Sequence, residues 1–307
     1  MHKAIGIDIG GTNYRIGIVD EEGKCLSFEK KSSSIFHSKK KGCTEILIDQ
    51  IRDYLEKHLD MQKDIVTIGI GFPAAVSSRK GIVYSCPNVT NEVESFDNQN
   101  VARRLTTALK IPTVINKDTN NLLRYDLTVQ SLEGTTIAFY FGTGIGNSVF
   151  LDGHFLEGKH GVATDVGHIP VYLSDQYCTC GNRGCIECYG SGRVLRQLWE
   201  DNFSKNGEEF TDLFIAHKGS EFVDHFIEAL AVPVASEVKI FDPDNLVLGG
   251  GVINMKGFPV ELFYDKVYEF TRKPLPGRDY HILSAGTAPE AGVIGSALNA
   301  FTRLGSD

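Results

Sequence analysis

The sequence predicts an α/β protein built from two domains of related topology. Three observations carry this. The chain has 307 residues, which is room for two domains of roughly 100–200 residues each. Short apolar, β-branched runs alternate with segments of helical periodicity, the pattern of sheets covered by helices. One unit, a strand followed by a glycine turn and a second strand, occurs twice, near residues 5–19 and 135–151.

Lys3–Ile9 reads as the opening strand, stopped by Gly10-Gly11-Thr12. Tyr14–Val19 and Cys25–Lys30 continue a β-meander around the turn Glu21-Glu22-Gly23-Lys24. The polar Ser/Lys-rich stretch 32–43 predicts a surface loop. Residues 44–59 place apolar side chains at 46, 47, 48, 51, 55 and 59, a helical stripe. Ile65–Gly71 is a buried strand closed by Phe72-Pro73, Val101–Leu109 a helix, and Thr113–Asn116 a short strand. The segment near 129–134 is the crossover. Thr135–Phe141 then reads as a strand, Gly142–Gly146 as a turn and Asn147–Leu151 as a strand. Arg193–Trp199, Glu208–His217 and Val223–Phe241 predict helices, the last interrupted or kinked at Pro233. Asp244–Leu248 is a strand running into Gly249-Gly250-Gly251. Ala288–Phe301 is a final helix, rich in Gly and Ala, small enough for close approach of a neighbour or a ligand. Domains are thus expected at 1–120, joined by a returning helix 288–307, and at 121–287, which carries the loop 168–188.

Composition excludes several classes. With 42% hydrophobic and 23% charged residues the chain is not intrinsically disordered. A net charge of −8 argues against a general nucleic-acid binder held by a basic field. No apolar run is long enough to span a membrane, and Met1–Asp8 lacks the build of a secretory signal. A cytoplasmic location is expected. There, seven cysteines imply metal or free thiols before disulfides.

Five constellations carry chemistry. In Asp8-Ile9-Gly10-Gly11-Thr12-Asn13, glycines expose backbone N–H groups to an anion, Thr12 adds a hydroxyl, and Asp8 can hold a cation or its water shell. A hairpin turn that merely needs φ > 0 explains the same residues. Gly142-Thr143-Gly144-Ile145-Gly146 repeats the motif, and together the two turns suit a polyphosphate gripped from two sides across an interdomain cleft. Neither is a Walker loop, and a strand rather than a helix follows the second, so it is no dinucleotide fingerprint. Gly249-Gly250-Gly251 brings backbone close to a flat ligand such as adenine, or is a loose cap. His168, Cys178, Cys180 and Cys185 suit a tetrahedral Zn²⁺, with Gly181 and Gly184 permitting the tight loop. Four protein ligands leave no open position, so the zinc is structural. Disulfides or free thiols are the alternative. Cys188 lies outside this frame, and Cys25, Cys43 and Cys86 read as isolated structural thiols. Asp118 sits where a strand ends and a helix begins. By itself it reads as a helix N-cap, with a general base as the second use.

Taken together these residues resemble the ROK family of the actin-like ATPase superfamily, over residues 5 to about 298. Ala291–Ala297 is similar to the family's closing helix. The resemblance implies a two-domain actin-like (ribonuclease H-like) fold with an interdomain cleft. It implies two phosphate loops, an adenosine-side loop at Gly249–Gly251 and Asp118 as the catalytic base. It places Asn88, Asp165, His168 and Glu187 at or beside a sugar. Two positions depart from the family's usual pattern: Lys117 stands for Asn and Asp165 for Glu. The first, with Cys86–Val89 and Ile240–Pro243, is similar to the family's allose-phosphorylating subgroup.

The expected activity is ATP- and Mg²⁺-dependent phosphorylation of the 6-hydroxyl of a free hexose, D-allose first, with glucose or N-acetylmannosamine as alternatives. A homodimer is the family habit. The competing class is a sugar-responsive transcriptional regulator of the same family. It is disfavoured because the first strand begins by residue 3 and leaves no preceding DNA-reading segment.

Overall fold

The computed structural model describes residues 1–171, 174–204 and 207–305. Parts of the expected loop 168–188 (172 and 173) and of the helix 288–307 (306 and 307) lie outside the described residues. The elements run β1 Lys3–Ile9, β2 Asn13–Asp20, β3 Cys25–Ser32, α1 Cys43–Lys57, α2 Leu59–Gln62, β4 Ile65–Phe72, β5 Ala75–Ser77 and β6 Ile82–Ser85. They continue with α3 Val101–Leu109, β7 Thr113–Lys117, α4 Asp118–Val129, β8 Thr136–Phe141, β9 Ile145–Leu151, β10 His154–Phe155 and α5 Gly192–Asn202. The rest are α6 Leu213–Ala216, α7 Glu221–Phe241, β11 Asn245–Gly249, α8 Val260–Phe270, β12 His281–Ser284 and α9 Ala291–Leu304.

The chain divides into two compact units. The first holds residues 1–131, 157–163 and 286–307, the second 132–156 and 164–285. In the first, a five-stranded sheet runs β3-β2-β1-β4-β7. β1, β2 and β3 pair antiparallel, while β1, β4 and β7 are parallel. In the second, the order is β10-β9-β8-β11-β12. Again the first three strands in sequence are antiparallel and the last two add in parallel. The repeated strand–turn–strand motif thus marks a repeated topology.

Burial follows from that order. β4 lies between two parallel neighbours and is apolar along nearly its whole length, as a strand covered on both faces must be. The first unit's core gathers Ile5, Ile7, Ile68, Ile70 and Leu47, with Phe36 packed edge-on to Tyr14 and Phe96. The second gathers Phe139, Phe141, Val149, Leu246 and one face of α7.

Helix α9 returns to the first unit and lies close on its sheet. A Cβ on Gly6 would stand 2.0 Å from the Val293 carbonyl oxygen, and one on Gly69 1.9 Å from that of Ser296. A Cβ on Gly295 would stand 1.8 Å from the carbonyl oxygen of Asn121 on α4. The backbones touch because these three positions carry no side chain. Ser296 Oγ fills the remaining gap by accepting from Ile7 N at 3.0 Å.

Several expectations change. Stretch 32–43 contains a 3-10 turn, Ser33–Phe36, because Phe36 is wholly buried. No single helix covers 208–217. A 3-10 turn at Phe210–Asp212 precedes the one-turn α6, and Glu208 is drawn off to His217 Nε2 at 2.7 Å. α7 runs unbroken through Pro233, whose neighbours Leu230, Ala231 and Val234 are fully buried. That packing outweighs the one backbone bond proline removes. β5, β6, α8 and β12 were not apparent in the sequence. Among the described residues no helix is long and apolar enough to cross a membrane.

Candidate active site

The candidate residues fall into one group on each unit. On the first, β1 delivers Asp8 at its C-terminal end, and the turn to β2 is closed by Gly10 N on the Asn13 carbonyl at 2.8 Å. Ser33 braces this turn, donating from Oγ to the Gly10 carbonyl at 2.5 Å and from N to that of Thr12 at 2.9 Å. Neither Gly10 nor Gly11 has positive φ, which removes the hairpin explanation for them. What Gly11 gives is approach: a Cβ there would lie 3.4 Å from Asn88 Cβ. Gly11, Thr12 and Asn88 are exposed.

Asp8 is clamped by Arg15 of β2, whose Nη1 lies 2.6 Å from Oδ2. Burial pushes the Asp8 carboxyl up, and Arg15 pulls it back. The start of α9 presses on the same carboxylate, since a Cβ on Gly292 would stand 2.8 Å from Asp8 Cγ. Helix N-termini favour negative charge.

Asp118 opens α4 at the end of β7. It is the first helical residue, not the cap. The cap position belongs to Lys117, and the Asp118 carboxylate accepts from the adjacent Thr119 N at 2.8 Å rather than from the N–H groups two and three residues on, as a cap would. The N-cap reading therefore fails. Burial, and then the negative charge of Asp8, raise the Asp118 carboxyl to about 7, with Lys117 opposing. A carboxyl poised there can take a proton near neutral pH.

On the second unit, the turn Gly142–Gly146 joins β8 to β9, with Ile145 and Gly146 already in the strand. The start of α5 docks on it: Gly192 N reaches the Gly142 carbonyl at 2.9 Å and Arg193 N that of Thr143 at 3.0 Å. Beside this turn lies the bend after β11, where Gly250 has φ +98° and its missing Cβ would stand 2.5 Å from the Phe141 backbone. Gly142, Thr143, Gly251 and Val252 line one cavity of about 660 Å³ with Arg193, Arg196, Phe210 and Met255. A Cβ on Gly142 or Gly251 would meet open space within 4 Å. Packing within the fold does not require glycine at these two positions, and the bare backbone leaves room for a ligand in the cavity. The Arg196 guanidinium sits 4.0 Å over the Phe210 ring, making a flat cationic wall. Sequence reasoning missed Arg193, Arg196 and Phe210, because they come from a helix and a turn with no motif of their own.

His168, Cys178, Cys180 and Cys185 bring four ligand atoms within 4.8 Å of one another. The Cys180 and Cys185 sulfurs are 3.6 Å apart, and Cys178 Sγ is 3.5 Å from His168 Nδ1. A tetrahedral Zn²⁺ sets S···S near about 3.8 Å and S···N near about 3.6 Å. Gly181 and Gly184 have φ +93° and +73°, as a tight loop requires. Cys188 Sγ points at the Tyr177 carbonyl, 3.8 Å away. The buried Cys43 and Cys86 thiols are pushed up to about 11 and about 12, chiefly by burial, which favours the neutral thiol over the nucleophilic thiolate.

The same loop carries Glu187. Its Oε2 accepts from Ile145 N at 2.9 Å and its Oε1 lies 3.7 Å from Arg193 Nη2, so it ties the cysteine loop to the glycine turn. Asp165 opens the 3-10 turn Val166–His168, and its Oδ2 is 4.0 Å from His168 Nε2.

Paired sheets of like strand order, with glycine turns at corresponding places, define the actin-like, ribonuclease H-like two-domain class. The chain belongs to the ROK family, whose model matches residues 4–302. A glucokinase of Thermotoga maritima is 27% identical over 325 residues, covering 99% of this chain and 98% of that protein. An N-acetyl-D-glucosamine kinase of Haemophilus influenzae is 28% identical over 307 residues, 92% of this chain and 91% of its own. The crystal structure of a ROK hexokinase from Thermus thermophilus matches with TM-score 0.79 at 26% identity, over 99% of this chain and 100% of that one. These relatives are sugar kinases.

Proposed function

We propose that this chain is an ATP-dependent hexose kinase that phosphorylates the 6-hydroxyl of a free sugar, with D-allose as the substrate. The observation that carries the kinase reading is Asp118: a carboxylate at a strand end, not used as a cap, held near pH 7 by burial and by Asp8. Asp118 accepts the proton of the sugar hydroxyl as that oxygen attacks the γ-phosphorus, and ADP leaves in line. The exposed turn at Gly10–Asn13 and the turn at Gly142, Thr143, Gly144 and Gly146 stabilise phosphate charge. Gly249, Gly250 and Gly251, with Arg196 and Phe210, hold the adenosine end. Asp8, held by Arg15, would hold a Mg²⁺, directly or through its water, and that ion would supply neutralisation of charge on the phosphates.

Asn88, Lys117, Asp118, Asp165, His168 and Glu187 are assigned to the sugar. The four-ligand set His168, Cys178, Cys180 and Cys185 fits a structural zinc, which would fix the loop bearing Glu187. A homodimer in the cytoplasm completes the reading.

The allose assignment rests on Lys117. A lysine ammonium only donates hydrogen bonds, whereas an asparagine amide both donates and accepts. Such a change suits an altered hydroxyl on the ring, and allose differs from glucose at C3 alone. The relatives' names point instead to glucose and N-acetylglucosamine.

One experiment separates these readings: a coupled ADP-release screen over allose, glucose, N-acetylglucosamine and N-acetylmannosamine. Release with none of them overturns the kinase reading. A higher kcat/KM for another sugar than for allose replaces the substrate.

A further inference from the structure

A second cavity, of about 380 Å³, opens on the first unit and has no part in the chemistry above. Four cationic side chains line it: Arg79, Lys80, Arg103 and Arg303. This is a gathering of like charge in a chain whose net charge is −8. Arg303 has a partner, donating from Nη2 to Ser78 Oγ at 2.6 Å, and that hydroxyl in turn donates to Glu157 Oε2 at 2.6 Å. Arg79, Lys80 and Arg103 are exposed and make no ion pair among the described residues. Like charges gathered on one wall make the local potential positive and favour an anion in the space.

The remaining lining is mixed, with Ala102, Pro112, Val114 and Leu304 apolar, and its polar backbone groups are largely committed. Asn100 accepts from Arg103 N at 3.0 Å and donates to the Lys80 carbonyl at 2.9 Å. Ala102 N is taken by the Gly81 carbonyl at 3.2 Å. The helix start is therefore occupied, and the donors left for a ligand are the cationic side chains and the hydroxyls of Thr106 and Thr107. Guanidinium groups match phosphate oxygens two by two. The volume is that of a small-molecule pocket, at the lower end of the usual range of about 300–1,000 Å³.

We propose that this cavity binds a dianionic phosphate, free or as the monoester of a small polyol. Two of its walls belong to elements that lead, further along, to the proposed catalytic carboxylates. Val114 lies on β7, the strand that ends at Asp118, and Arg303 lies on α9, whose other end presses on Asp8. Occupancy stiffens both elements. The site is independent of which sugar, if any, the chain phosphorylates.

The test is thermal unfolding of the full chain at constant ionic strength, titrated with inorganic phosphate and with glycerol 3-phosphate, a small-polyol monoester that is not a product of the proposed hexose kinase. The expected result is a saturable rise in Tm, about 2 °C at a tenfold excess over Kd. The double variant Arg79→Gln/Arg103→Gln is expected to lose the rise while unfolding, without ligand, no lower than wild type. Lys218→Gln, at an exposed cation of the second unit, keeps it. The lower saturating concentration of the two probes assigns free phosphate or the ester. No rise with either probe, or a rise that survives in the double variant, overturns the proposal.

Discussion

The charge of Asp8 bears directly on Asp118: one carboxylate ends β1, the other opens α4, and repulsion between them adds to burial in holding Asp118 near 7. Asp8 is spared the same fate in part by Arg15, 2.6 Å away. One arginine thus separates the electrostatic settings of the two acids. Asp118→Asn keeps the shape and removes the base. It is expected to lower kcat by about 10²–10⁴-fold while leaving the Kd values for ATP and sugar close to wild type. Equal kcat in the variant would dismiss Asp118 as base.

The pH dependence follows from the same pair. The base works deprotonated, so kcat/KM should rise with pH and level off above about 7, falling about tenfold for each unit below. Stability runs the other way. With its folded value above its unfolded one, Asp118 holds its proton better in the native state. Its contribution is present at low pH and is lost as pH rises toward about 7. Asp118→Asn should thus be more stable than wild type at pH 8, by on the order of 1–2 kcal/mol, and equal to it near pH 4. Denaturant melts at the two pH values check the sign.

Removal of metal should unfold the cysteine loop first. The protein as purified is expected to contain about one zinc per chain, and chelation should lower Tm and activity together. Cys180→Ser deletes one ligand at an exposed position and should reproduce both losses. Metal analysis that finds no zinc, with folding intact, defeats this expectation.

The approach of α9 gives a stability test free of catalysis. Gly295→Ala puts a methyl where the Asn121 carbonyl oxygen stands 1.8 Å away, so α9 or α4 must move. The expected cost is about 3 kcal/mol, read from urea melts. By contrast, Gly142→Ala meets open space and should melt like wild type, yet weaken ATP.

For the cavity proposed to hold the nucleotide, Arg196→Ala removes the cation over the Phe210 ring. KM for ATP should rise about fivefold with kcat unchanged, the mark of an interaction equal in ground and transition states. A fall in kcat with KM constant would move Arg196 out of the nucleotide site.

Residue order alone determined a good deal. Near-continuous apolar, β-branched runs in β1, β2, β4 and β8 announced the sheets, because a strand covered on both faces is apolar along its length, a property of adjacent residues. Gly181 and Gly184 beside three cysteines and a histidine announced a metal-ready loop, because ligand spacing and positive φ are written in adjacent residues. Other facts became visible only in three dimensions. That Asp118 is not a cap depends on where its carboxylate turns. That Gly142 and Gly251 share one cavity with Arg196 and Phe210 depends on β8, β11 and α5 meeting. That Gly6, Gly69 and Gly295 are needed at all depends on a helix from the far end of the chain. Each of these is a through-space relation between residues remote in sequence. Packing and electrostatics act on distance in space, to which the order of residues gives no direct measure.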